Sequence, residues 1–226
     1  MSLFIFNSSI GRKLVMSLSG LFLIVFLLVH LIVNSLLLIG PEAFQAGCEF
    51  MEQPVVLIMV PILAGGFVVH ILYALWLSYQ NMKARGTTAY ASGKKSETTS
   101  WASKNMLVLG AVVLLFIGLH LSHFWAKMQL QHLIGGEATE ASQAYELVAL
   151  TFRNPIIGSL YIVWYWALWF HLVHGFWSAL QTIGFNNSIW YSRLRVISNI
   201  FATVIAVGFT VITLFFLLGL DKIFHV

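Results

Sequence analysis

An all-α integral membrane bundle of five transmembrane helices, N-terminus cytoplasmic and C-terminus outside, is the fold class this sequence predicts. Three observations predict it. Apolar residues make up 59% of the 226 residues and charged residues 9%, against about 25% charged in a soluble domain. Five apolar runs are each long enough to cross a bilayer, for which about 20 residues suffice. Lysines and arginines gather beside alternate connections. Little chain is left for a separate soluble unit, so residues 1–226 are expected to form a single transmembrane domain.

The runs cover approximately residues 14–39, 55–79, 105–130, 155–183 and 196–220. Arg12 and Lys13 precede the first, and Gly40 and Pro41 follow it. Its apolar core exceeds the roughly 7–15 residues of a cleaved signal, and no A-x-A site follows, so it reads as a retained helix. Pro54, Pro155 and Gly184 punctuate run ends, as helix boundaries require. Pro61 lies inside the second run, where it kinks the helix or marks its true start.

Orientation comes from charge. Arg12, Lys13, Lys83, Arg85, Lys94, Lys95, Lys104, Arg193 and Arg195 fall on one side, and only Lys127, Arg153 and Lys222 on the other. The richer side is the cytoplasmic one. The net charge of +4 therefore reflects membrane loops, and nucleic acid is not expected as a partner. The single cysteine, Cys48, excludes an internal disulfide, an Fe–S cluster held by this chain alone and the C-x-x-C-H attachment of covalent haem. Residues 84–104 form the one sizeable hydrophilic connection and read as a surface loop.

Eight histidines occur, and six lie inside four of the runs: His30, His70, His120 with His123, and His171 with His174. An imidazole at membrane depth is costly unless something there needs it. His30 is 17 residues beyond Lys13 and His120 is 16 beyond Lys104, so both lie about 25 Å from the inner side. His70 is 13 residues before Lys83 and His171 is 13 before Gly184, about 20 Å up. The histidines thus form an outer pair, His30 with His120, and an inner pair, His70 with His171. Two imidazoles at one depth from facing helices are what a bis-histidine b haem requires, and two such sites stacked across a bilayer make an electron wire. A lone intramembrane histidine can instead simply join helices, and spacing alone leaves either member of each couplet open as the ligand.

Four glycines fit the same scheme. Gly20 and Gly110 precede His30 and His120 by ten residues, about 15 Å along a helix, near the inner site. Gly66 and Gly175 lie four residues from His70 and His171, each close to the face of its histidine, where a flat macrocycle would approach the backbone. Helix packing is the alternative use of such glycines. His123 and His174, at the edges of the two sites, are candidates for bonding a haem propionate or a quinone, or for facing water.

The order and spacing of SLSGLFLIVFLLVHLIVN, PEAFQAGCEFMEQP, VVHILYALWLSY, GAVVLLFIGLHLSHFWAK and YIVWYWALWFHLVHGFWSA resemble the di-haem cytochrome b membrane anchor of succinate dehydrogenase and fumarate reductase, of the single-subunit, five-helix type. The resemblance covers most of the chain. It implies two b haems, the inner on His70 and His171 and the outer on His30 and His120. It also implies a flavoprotein and an iron–sulfur subunit on the cytoplasmic face, which hold the FAD and the Fe–S clusters, and a quinone, often menaquinone, at the outer haem. A multi-pass protein of a bacterial cytoplasmic membrane follows, with a dimer of the whole complex left open.

Ser17 and Ser19 match a stretch that contacts a haem propionate in relatives; small-residue packing is the alternative. Some relatives carry a glutamate where this chain has Trp169, so a proton route through that carboxylate is not expected here. Glu49 and Glu52 lie in or near the outer loop, and Glu52 is the candidate for exchanging quinol protons, unless it is a solvated loop charge. Two other functions compete. One is the cytochrome b of another respiratory complex, such as a hydrogenase or formate dehydrogenase. The other is a haem-free scaffold or transporter, disfavoured by the lack of charged residues in mid-helix.

Overall fold

The computed structural model describes residues 8–85, 101–185 and 187–224. Among these the chain is helical, with five helices long and apolar enough to span a membrane: Ser9–Leu38, Pro54–Ala84, Met106–Trp125, Pro155–Thr182 and Ser188–Leu217. Most of the hydrophilic connection, residues 86–100, lies outside the described residues, as does His225.

Local chemistry sets the span ends. Ser8 caps the first span by accepting from the Gly11 amide at 2.9 Å, satisfying one of the free N–H groups of a helix start. Pro61 sits in the first turn of the helix Met59–Arg85, where a missing N–H disturbs nothing. Asn154 accepts from the amides of Ile156 and Ile157, and Pro155 opens the fourth span directly behind it.

The first span packs against the second, fourth and fifth, and the third packs against the fourth; the second and third barely touch. Spans one to four are therefore the sides of a four-helix arrangement, with first and third on one diagonal and second and fourth on the other. The fifth span, the most buried, lies along the fourth and first.

Two helices in connections read as loops depart from the sequence-based expectation. Pro41–Met51 and Ala141–Arg153 are both amphipathic and pack against one another across one end of the bundle. They bury Phe44, Gly47 and Cys48 on one side and Ala144, Tyr145, Val148 and Phe152 on the other. Arg153 bonds Glu146 at 3.1 Å and also pairs with the buried Asp221 beyond the fifth span. At the opposite end Gln80, with its amide oxygen turned inward, accepts from Arg12 at 2.9 Å and from Trp76, tying the first span to the second.

The fifth span starts at Ser188, eight residues before the expected Val196. Arg193 and Arg195 lie within its first turns, stacked at 5.7 and 5.8 Å over Trp190 and Tyr191. Their stems run along the helix while the charges reach the polar boundary.

Candidate metal-binding histidine pairs

His30 and His120 face each other across the first–third diagonal, ring centroids 5.7 Å apart and planes at 87°. His70 and His171 do the same across the second–fourth diagonal, at 6.5 Å and 68°. Neither pair belongs to helices that are packing neighbours, so each pair meets in the space that the four sides enclose. A metal about 2 Å from one nitrogen of each ring needs ring centres roughly 6 Å apart, and both pairs fit.

The glycines fix the spacing between the pairs. A Cβ on Gly20 would stand 3.3 Å from Cε1 of His70, and one on Gly110 would stand 3.8 Å from Cε1 of His171. Each glycine is ten residues before the histidine of the other pair on its own helix, so the pairs are stacked about 15 Å apart along the bundle. The His30–His120 pair is the one nearer the capping helices. Gly66 serves differently from the expected porphyrin approach: its missing side chain leaves room for the ring of Phe22, 2.7 Å from where a Cβ would stand. Gly175 has open space before it.

One histidine of each pair has a polar neighbour. Ser19 donates its hydroxyl to the Met16 carbonyl at 3.0 Å, and its oxygen lies 3.3 Å from Nδ1 of His70. With its proton so used, the Ser19 oxygen is placed to accept from Nδ1–H, a tautomer that would leave the Nε2 lone pair of His70 for a metal. Asn34 donates to the His30 carbonyl at 2.8 Å, and the same nitrogen lies 3.4 and 3.5 Å from the two ring nitrogens. The opposite members, His120 and His171, each bury an Nδ1 without a partner among the described residues. Unsatisfied buried nitrogens are costly, and a bound group that ligates or bonds them removes the cost. The ring spacing and these orphaned atoms fit a metal that would be held between the two rings of each pair.

The flanking residues divide. His123 bonds the Tyr161 hydroxyl through Nδ1 at 3.0 Å. His174 packs edge-on against Trp177, and its buried Nδ1 has no partner among the described residues. Ser17 is buried in the first span. Trp169 donates to Thr203 at 3.0 Å, joining the fourth and fifth spans. Glu52 ends the helix Pro41–Met51 as its C-cap. There it and Glu49 help burial push the Cys48 thiol up to about 11, burial being the largest cause.

Two features at the His30–His120 pair carry no mark in the sequence. The third span changes from α to a π-turn at Leu121–Trp125, immediately after His120. An aromatic shell of Phe116, Phe124 and Tyr161 surrounds His120, with Phe26 and Phe209 against His30.

The chain is 24% identical over 167 residues to the succinate dehydrogenase cytochrome b558 subunit of Bacillus subtilis (strain 168), which covers 71% of this chain and 72% of that one. No family model and no solved structure matches the sequence.

Proposed function

We propose that the chain is the membrane cytochrome b subunit of a succinate:quinone oxidoreductase in a bacterial cytoplasmic membrane. It carries electrons between an iron–sulfur subunit on the cytoplasmic side and a quinone, menaquinone, toward the outer side. The observation that carries this reading is the two stacked pairs of facing histidines, drawn from four different spans. Similarity to a succinate dehydrogenase cytochrome subunit supports the choice of complex.

The positive-inside bias makes the end opposite the capping helices cytoplasmic. That end is then the docking face for the flavoprotein and iron–sulfur subunits, which hold the flavin and clusters. His70 and His171 would hold the inner haem, and His30 and His120 the outer. Bound at each pair, a b haem supplies one-electron redox chemistry.

The chain's own residues do the rest. Ser19 would fix the tautomer and ring orientation of His70, and Ser17, His174 and Gly175 would border the inner haem. Apolar side chains exclude water, so each imidazole acts in a low-dielectric setting. At the outer side Glu52 is the carboxylate that exchanges protons with the quinone, giving them up as it is reduced or taking them up as its quinol is oxidised. Trp169, held by Thr203, offers no proton at its position.

The test uses the whole complex with His70→Ala and His171→Ala made separately. Each is expected to lose the inner haem and quinone-linked turnover while the soluble subunits still oxidise succinate with an artificial acceptor. Two haems retained in either variant would overturn the ligand assignment.

A further inference from the structure

The π-turn after His120 needs a cause. LSHFW contains neither proline nor glycine, and nothing in its composition prevents an ordinary α-helix. Yet Ala126 bonds back five residues to the Leu121 carbonyl at 2.7 Å. Wide turns of this kind are rare and need outside support.

The support comes from the fourth span. Tyr161 is fully buried, and its ring touches Phe116, His120, His123, Phe124 and Phe152. Its hydroxyl meets Nδ1 of His123 at 3.0 Å, inside the π-turn, and the two rings lie nearly parallel, at 21°. Phe124, also in the turn, packs on Phe152. Within the turn, Ser122 donates its hydroxyl to the Leu119 carbonyl at 2.7 Å. A buried tyrosine hydroxyl without an acceptor is penalised, so the bond holds the turn against the fourth span.

We propose that the Tyr161–His123 hydrogen bond is a latch that positions His120. By holding the π-turn it fixes how the His120 ring meets His30, and so sets the angle between the two imidazole planes at the outer site. Both residues are positioning residues. His123 acts through the helix that carries His120, and Tyr161 acts through His123 and through ring contact with His120. The inference rests on the proposed function, because it concerns the outer haem.

The angle between axial imidazole planes governs the EPR signal of a low-spin ferric haem, which gives a readout that packing alone would not move. The experiment compares the wild-type complex with Tyr161→Phe, His123→Ala and the double variant, with His120→Ala to identify the outer signal by its loss. Tyr161→Phe keeps the ring and deletes only the hydroxyl. The expected result is a displaced outer signal in both single variants, no further displacement in the double and an unmoved inner signal. An outer signal unmoved in Tyr161→Phe would overturn the latch alone and leave the proposed function standing. A wild-type complex without haem would overturn the proposed function and the latch with it. Both haem signals retained in His120→Ala would overturn the outer ligand pair and the latch while leaving the complex assignment standing.

Discussion

The Ser19 hydroxyl oxygen lies 3.3 Å from Nδ1 of His70 while its proton is given to the Met16 carbonyl. One small side chain on the first span is therefore placed to set the tautomer of a histidine on the second, and under the proposed function that choice would leave Nε2 for the haem iron. Removing such a supporting bond typically weakens metal affinity about 10–100-fold. Ser19→Ala is expected to lower retention of the inner haem by an amount in that range, with Ser19→Thr close to wild type. Haem content after extended detergent washing measures it.

Gly20 and Gly110 approach the two inner imidazoles unequally, with a Cβ standing 3.3 Å from His70 at one and 3.8 Å from His171 at the other. The first distance forces the ring to yield; the second is ordinary contact. Gly20→Ala is expected to shift the inner haem's absorption and midpoint potential while Gly110→Ala leaves both close to wild type. The reverse order would contradict the placement of His70.

Much of this arrangement was legible in the sequence. The five spans follow from long apolar runs, and the facing of His30 with His120 and His70 with His171 follows from counting, because a helix rises by a fixed step per residue. What stayed hidden has physical reasons. The π-turn at Leu121–Trp125 has no compositional mark, since it depends on Tyr161 from another span. The fifth span begins at Ser188, ahead of its apolar run, and Arg193 and Arg195 look like loop residues until they stack on Trp190 and Tyr191. The capping helices are too short and too polar for a search for spans. Their marks were nonetheless present: Pro41 at a helix start, and the capping pair of Glu140 and Gln143. At Gly66 the sequence shows a missing side chain and not that Phe22 takes its place.

Cys48 is buried on the helix Pro41–Met51, and its thiol is pushed up to about 11, by burial first and then by Glu52 and Glu49. The neutral thiol therefore favours the fold below its ordinary pKa, and that contribution is lost as pH rises through about 11. Only the thiolate is the nucleophile. Native protein at pH 8 is expected to resist alkylating reagents and to react fully once denatured, as mass spectrometry would record. Rapid labelling of the native protein would refute this packing.

Arg153 is the cation beside Asp221, whose side chain is only 3% exposed. Removing one partner of a buried pair leaves an uncompensated charge and costs at most about 3–5 kcal/mol; the partial exposure of Arg153 places its loss toward the low end. Arg153→Ala should lower the thermal midpoint, and adding Asp221→Asn should recover part of the loss. The Asp221 bond raises the Arg153 pKa from an already high value, so the pair's contribution is present below that range and is lost only in strong alkali. Melting curves from pH 7 to 9 should show a constant gap between wild type and variant.

Whether the two pairs of histidines each hold a haem is measured by haem content per polypeptide in the purified complex, joined to a redox titration of its visible spectrum. Two b-type haems per chain titrating as separate components are the predicted result. A colourless protein, or a single haem that survives replacement of His70, His171, His30 or His120 in turn, would contradict it.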